Sequence, residues 1–398
     1  MLSIPPAHAP TGSGAAPRSG SRSDPPPSGG TPPLLTAAKI VAIFIILYGF
    51  LTSIGLMGAG FKTFGKGFAE ALIETTNNPF VGLFVGILAT AVIQSSSTTT
   101  SMVVAFVAAR TVTVENAIPV VMGANVGTAV TSTVVSLGHV TRRHEFQRAF
   151  AAGIVHDFFN LFAVIVFLPL ELATGYLEKS ATYLTGLLAG TSGVDFKSPL
   201  KMVTKPVVSG IVDAIESLGG SKVVTGTVAV VLGVLLLVVS LYLVSKVLKS
   251  LVLKKLEHFF DRALGKNALV AVLIGLAFTA IVQSSSVTTS LMIPLAAAGV
   301  MRLEQVFPVA LGANLGTTVT ALLAALATGC PSALTIALVH FLFNLSGIFT
   351  FYPLPFMRKL PIGGAQWLAA RSAQNRMYAI GFVLIVFFAI PGLMIFVT

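Results

Sequence analysis

Charge is what this chain has least of. Only 25 Lys and Arg and 14 Asp and Glu occur among its 398 residues, a 10% share, where a soluble domain carries about 25%. With 55% hydrophobic residues, the composition excludes an ordinary soluble globule and fits an all-α polytopic membrane protein. Cysteine is nearly absent too. The single Cys330 rules out an intrachain disulfide framework. Asp, His and Cys never gather into a run with metal-ligand spacing, so no transition-metal site and no organic cofactor are expected. The net charge of +11 does not indicate a nucleic-acid partner. Its basic residues fall in short clusters between apolar segments, the pattern of cytoplasmic loops, and a lipid bilayer is the expected surrounding.

Residues 1–35 are rich in Pro, Gly and Ser and lack apolar periodicity. They read as a disordered cytoplasmic tail. The start Met1-Leu2-Ser3-Ile4-Pro5-Pro6 lacks the apolar core of a signal peptide, so the first apolar segment is expected to be a retained membrane helix.

What is present is a polar run repeated inside apolar sequence. Gln94-Ser95-Ser96-Ser97-Thr98-Thr99-Thr100-Ser101 returns as Gln283-Ser284-Ser285-Ser286-Val287-Thr288-Thr289-Ser290. Amide and hydroxyl groups at membrane depth are costly unless something polar occupies them. The same shift carries Glu115 onto Glu304, Pro119 onto Pro308 and Asn125 onto Asn314. Over this stretch about four residues in ten are identical, the mark of an internal repeat. After a small deletion, His156-Asp157-Phe158-Phe159-Asn160 aligns with His340-Phe341-Leu342-Phe343-Asn344.

Each half follows one plan. A long apolar helix opens it (36–60, then 223–250). Two apolar stretches flank the serine run (79–112, then 268–300), and two long helices close it (115–137 and 146–170, then 304–327 and 333–355). The flanking stretches are near 15 residues, short of the roughly 20 that a span needs. They are expected to be re-entrant hairpins, whose tips must line protein or water. Each half then crosses the membrane three times, and an odd count inverts the second half.

Loop charge agrees with that parity. Arg18, Arg22 and Lys39 precede the first helix. Arg142, Arg143 and Arg148 lie between the closing helices of the first half. Lys246, Lys249, Lys254, Lys255, Arg262 and Lys266 follow the opening helix of the second. Arg358, Lys359, Arg371 and Arg376 come after it. A cytoplasmic N-terminus puts all four groups inside. Lys62 and Lys66 are exceptions, beside Glu70 and Glu74. The expected organisation is a tail (1–35), a first repeat (36–170), an extracytoplasmic loop (171–222), an inverted second repeat (223–355), and a cytoplasmic linker with a peripheral extra helix (356–398). Inverted repeats with broken helices and a midplane site are the architecture of secondary transporters.

Helix N-termini at a hairpin tip present N–H donors and partial positive charge to an anion. Serine hydroxyls can donate to a tetrahedral oxyanion, while Gln and Asn carbonyls and unwound backbone suit Na⁺. The second repeated element, Gly123-Ala124-Asn125-Val126-Gly127-Thr128 and Gly312-Ala313-Asn314-Leu315-Gly316-Thr317, reads either as close helix packing or as local unwinding beside an amide. Ser/Thr packing would explain one serine run. Two copies at symmetric positions argue for a shared site. A hydrolase using a serine with His156 or His340 lacks the Gly-x-Ser-x-Gly elbow, so no enzyme is expected. Asp157 breaks the symmetry, since Phe341 stands opposite it.

The paired Gln-Ser-Ser-Ser runs, each followed by Gly-Ala-Asn-x-Gly-Thr, resemble the type II sodium/phosphate cotransporters across about 36–355. The resemblance implies a symporter of inorganic phosphate and Na⁺ in the plasma (inner) membrane. It implicates Ser95, Ser96, Ser97, Ser284, Ser285 and Ser286 in phosphate binding. For Na⁺ it implies Gln94, Asn125, Thr128, Gln283, Ser284, Asn314, Thr317 and Thr320. Two departures suggest a bacterial protein: this sequence has no C-terminal regulatory domain, and its 171–222 segment is short and cysteine-free. The residues leave open another anion such as sulfate or a carboxylate, an ion channel, and a sensor that does not transport. A homodimer also stays open.

Overall fold

In a computed structural model the described residues are 33–65, 70, 73, 76–189, 199–263 and 267–397. Residues 1–32 of the expected N-terminal tail, Lys66, Glu74, Lys266 and the side chains of Lys254, Lys255 and Arg262 lie outside the described residues or side chains, and 33–35 belong to the first helix rather than to the tail. Among the described residues every regular element is a helix.

Among the described residues seven helices are long and apolar enough to cross a membrane, and all seven fall where the apolar runs put them. The first is α1 (Pro33–Thr63). The short pair α2 (Pro79–Ile93) and α3 (Ser96–Ala109) comes next. α4 (Val114–Val126) and α5 (Ala129–Leu137) form the second long segment, broken at Gly127-Thr128, and α6 (Arg143–Thr174) the third. After α7 (Tyr176–Ala189) and α8 (Pro199–Glu216) the plan recurs. It runs through α9 (Lys222–Ala263), the short pair α10 (Ala268–Val282) and α11 (Ser285–Ala297), α12 (Leu303–Thr328) and α13 (Pro331–Phe351). α14 (Pro355–Gln374) and α15 (Met377–Val397) end the chain.

Burial separates centre from rim. The apolar windows of α4–α5, α6 and α12 are 72–78% buried, against 33% for α1 and α9 and 11% for α15. α15, with its π turn Ile385–Ala389, is therefore peripheral. It rests on α2. The exposed flanks of α1 and α9, with Phe44, Ile45, Leu235 and Val239, offer an apolar face suited to lipid. α1 and α9 also pack on each other, and their contacts run in opposite senses along the two chains. Gly49 faces Ser240, Met57 faces Gly233, and Gly60 faces Gly226. The two helices are thus antiparallel.

The glycines of the second repeated element serve close packing. A Cβ on Gly123 would sit 2.0 Å from the Leu83 carbonyl oxygen, and one on Gly86 2.1 Å from that of Val120. In the other half a Cβ on Gly312 would meet the Val272 oxygen at 1.9 Å, and one on Gly275 the Val309 oxygen at 2.0 Å. Backbones this close allow no side chain between them. Unwinding occurs in one half only. α4 stops at Val126, whereas α12 runs unbroken through Gly312–Thr317.

The segment 171–222 is richer than a loop. α8 lies along α1, with Ile215 packing against Leu56 and Ala229, and α7 packs on α13. Their apolar residues are spaced along one helical face rather than in a run, which is why hydropathy alone passes over them. The linker after the second half is likewise helical. α14 lies on α6, where a Cβ on Gly364 would be 2.6 Å from the Phe158 ring.

Candidate functional site

The serine runs begin with a matched backbone turn. Gln94 (φ 60°, ψ 25°) and Gln283 (φ 58°, ψ 27°) end α2 and α10 in the left-handed region, each donating its N–H to the carbonyl of Thr90 or Thr279 at 2.7 Å. An L-residue there costs roughly 1–2 kcal/mol. The next residues, Ser95 and Ser284, are extended and cap α3 and α11. Ser95 Oγ accepts from the Thr98 N–H at 3.2 Å, and Ser284 Oγ from the Val287 N–H at 3.4 Å. Across each pair of short helices, hydroxyls meet: Thr90 with Thr99 at 3.0 Å, and Thr279 with Thr288.

The glutamine side chains are held in the same way in both copies. Each Nε2 donates to the carbonyl three residues back, Ala91 or Ala280. Each Oε1 accepts from a threonine hydroxyl at 2.8 Å, Thr131 for Gln94 and Thr320 for Gln283. Both glutamine carbonyls are thus fixed in position beside the serine runs. The two copies differ in exposure, since Gln94 is exposed and Gln283 only 8% accessible.

Both copies open on one cavity of about 480 Å³. Gln94, Ser95, Ser96 and Ser97 line it, and so do Gln283, Ser284, Ser285 and Ser286. A side of α9 completes the wall. The N-termini of α3 and α11 both start here, so two sets of first-turn N–H groups and two partial positive charges converge on one space. Among the described residues no arginine and no carboxylate lines it.

The chain matches the Na+/Pi-cotransporter family over residues 50–191 and 236–359, more than half its length and including both serine runs. The chain belongs to the Na+/Pi-cotransporter family. Sodium-dependent phosphate transport protein 2B of Homo sapiens and that of Pongo abelii are each 33% identical to it over 443 aligned residues. That alignment covers 89% of this chain and 64% of each relative, so the chain spans somewhat less than two thirds of their length. Sodium-dependent phosphate transport protein 2A of Rattus norvegicus is 35% identical, covering 89% of this chain and 67% of the relative. No solved structure matches. The family is one of transporters, and the chain is a multi-pass membrane protein.

In this member of the Na+/Pi-cotransporter family the Na⁺ candidates fall into two groups. Gln94, Gln283 and Ser284 line the cavity, with Thr320 directly behind Gln283. Asn125 and Asn314 sit instead in a buried knot of amides. Asn160 Nδ2 donates to the Asn125 backbone oxygen at 2.9 Å, and Asn314 Nδ2 donates to Asn160 Oδ1 at 2.8 Å. Asn344 Nδ2 donates to Asn125 Oδ1 at 3.3 Å, and His340 Nε2 lies 3.2 Å from the same oxygen. Thr128 and Thr317 donate back to their own helices, to Ala124 and Ala313 at 3.2 and 3.1 Å.

Thr131 and Asn160 are site neighbours that sequence reasoning passes over. Thr131 was findable, being the counterpart of Thr320 under the shift that relates the halves. Asn160 and Asn344 close their repeated motif in both halves, although which amide each would meet depends on helix packing. His156 Nε2 and Asp157 Oδ1 are 2.9 Å apart and fully enclosed, away from the cavity lining. Glu115 and Glu304 stand in the first turns of α4 and α12, as helix-start carboxylates should. Glu115 also lines a smaller cavity of about 200 Å³ with Glu171 and Glu178. Partial burial, then repulsion from Glu115 and Glu171, raises the Glu178 carboxyl above its ordinary range.

Proposed function

We propose that the chain is a sodium-coupled importer of inorganic phosphate, built from two inverted repeats and working by alternating access. The observation that carries this reading is the single cavity shared by both serine runs. A tetrahedral oxyanion there meets hydroxyls from two helix N-termini related by the repeat, together with the N–H groups that an α-helix cannot satisfy internally. The fixed Oε1 atoms of Gln94 and Gln283 supply hard oxygen for Na⁺ at the edge of the same space, so anion and cation neutralise each other. Asn125 and Asn314 belong to a second, buried oxygen-rich region suited to a further Na⁺. A carboxylate substrate is disfavoured, because among the described residues no guanidinium lines the cavity for bidentate pairing.

Inversion is supported by the antiparallel packing of α1 against α9, the opening helices of the two repeats. The short pairs α2–α3 and α10–α11 then enter as re-entrant hairpins from opposite faces. The N-terminus is placed in the cytoplasm and the protein in the plasma membrane. Residues 36–170 and 223–355 form the repeats, 171–222 lies outside, and 356–398 adds a cytoplasmic helix and a rim span.

Labelled-phosphate uptake into proteoliposomes, with and without an inward Na⁺ gradient, tests the reading. Saturable uptake that requires the gradient is expected. Uptake indifferent to Na⁺, or labelled sulfate entering as well as phosphate, would overturn it.

A further inference from the structure

The wall of the cavity facing the serine runs is one side of α9. Val238, Leu241, Tyr242, Ser245, Lys246 and Lys249 line it. Their spacing of three, four, seven, eight and eleven from Val238 is that of a single helical face. Polarity rises along this stripe from two aliphatic side chains, through a phenol and a hydroxyl, to two ammonium groups. The cations lie at the end where α9 leaves its apolar span, Lys222–Leu251.

The position of the lysines is set by contacts. Ser245 Oγ donates to the Val282 carbonyl at 3.0 Å, the residue just before Gln283, which ties α9 to the second serine run. Lys246 follows directly, and its Nζ lies 5.8 Å from the centre of the Tyr242 ring on the same wall. Both lysines are exposed, and among the described residues neither pairs with a carboxylate. Among the described residues they are the only fully charged side chains lining the cavity. Cations on a low-dielectric wall focus their field into the space and raise the local concentration of anions.

We propose that Lys246 and Lys249 form an outer oxyanion station at the mouth of the cavity, holding inorganic phosphate in transit between solution and the serine runs. This rests on the serine cavity being the phosphate site. A lipid headgroup offers the same phosphate chemistry, so the test must separate the two sources. The long apolar stem and flexible ammonium of lysine suit a transit station, since a point charge attracts without the fixed geometry of a bidentate fork.

The experiment compares wild type, the double variant Lys246→Gln with Lys249→Gln, and the double variant with arginine at both positions. Each full chain is reconstituted in purely neutral lipid and again with anionic lipid. Half-saturating phosphate is measured from each face of the membrane at fixed Na⁺, with choline chloride used to vary ionic strength. The glutamine variant is expected to need about threefold more phosphate, or higher, at low ionic strength and from one face only. The gap should close as salt is added, arginine should restore affinity, and the maximal rate should be unchanged. Wild-type half-saturation in the glutamine variant from both faces would overturn the station. So would an effect seen only with anionic lipid, or a loss of maximal rate shared by both variants and insensitive to salt. If wild type itself shows no Na⁺-dependent phosphate uptake, the transport reading fails and the station with it. An active wild type beside an unaffected glutamine variant removes the station alone.

Discussion

Ser95 and Ser284 each do two things at once. Each caps a helix and each lines the cavity. Replacing either by Ala should cost about 1 kcal/mol of stability through the lost cap. Uptake should suffer far more, by about tenfold, since a hydrogen bond to a charged group is worth roughly 1.5–3 kcal/mol. Thermal melting in detergent beside initial phosphate uptake separates the two effects, and wild-type uptake in both alanine variants would refute the site. The copies differ at one neighbour. Thr98 Oγ1 donates to Ser95 Oγ at 2.9 Å, whereas Val287 cannot do so for Ser284. The second copy already manages without that bond, so Thr98→Val should keep uptake near wild type. A collapse of uptake in that variant would show that the two serines are not equivalent. The serines, glutamines and asparagines were legible from the repeat alone. Their hydrogen-bond partners were not, because which threonine or amide meets them is decided by packing between helices.

At the level of elements, length and apolarity were enough to place seven spans, and the 15-residue helices beside each serine run were legible as too short to cross. The Gly-Ala-Asn-x-Gly-Thr element was ambiguous in sequence, because close packing and unwinding both call for glycine. The 1.9–2.1 Å that would separate an added Cβ from the facing carbonyl oxygen in both halves favours packing. Gly312→Ala should therefore force α10 and α12 apart, at a cost of about 1–3 kcal/mol for an overpacked interface. Gly381→Ala on α15 is the control, since nothing lies within 4 Å of its added Cβ. A lowered melting temperature for the first and none for the second is expected, and equal melting would contradict the packing account. Lys246 and Lys249 looked like loop charge in sequence, because the apolar run stops near 250. The helix itself continues to Ala263 and carries both lysines along the cavity wall.

For the whole molecule, direction is a matter of charge. Moving a divalent phosphate inward against about 100 mV, inside negative, costs roughly 4.6 kcal/mol, at about 2.3 per charge. Two Na⁺ cancel that term and leave their concentration gradient to drive accumulation, and a third makes the cycle electrogenic. At least two Na⁺ per divalent phosphate are expected, as a flux ratio measured with both labels in the same vesicles. A ratio of one, with a Hill coefficient near one for Na⁺, would exclude it. The expected crossing parity comes from the sequence. Several bonds that fasten one repeat to the other were not legible there, among them Ser132 Oγ to Thr289 Oγ1 at 3.2 Å and the Arg148 guanidinium on the Ala296 and Ala297 carbonyls.

Gln94 is open to solvent and Gln283 is closed off, although their backbone angles and threonine partners match. The matched turns give no local reason for either copy to keep its own exposure. If they trade, the exposed glutamine becomes the covered one and the cavity faces the opposite compartment. Under the proposed alternating access, the second shape of the cycle would then be this one with the two halves exchanging parts.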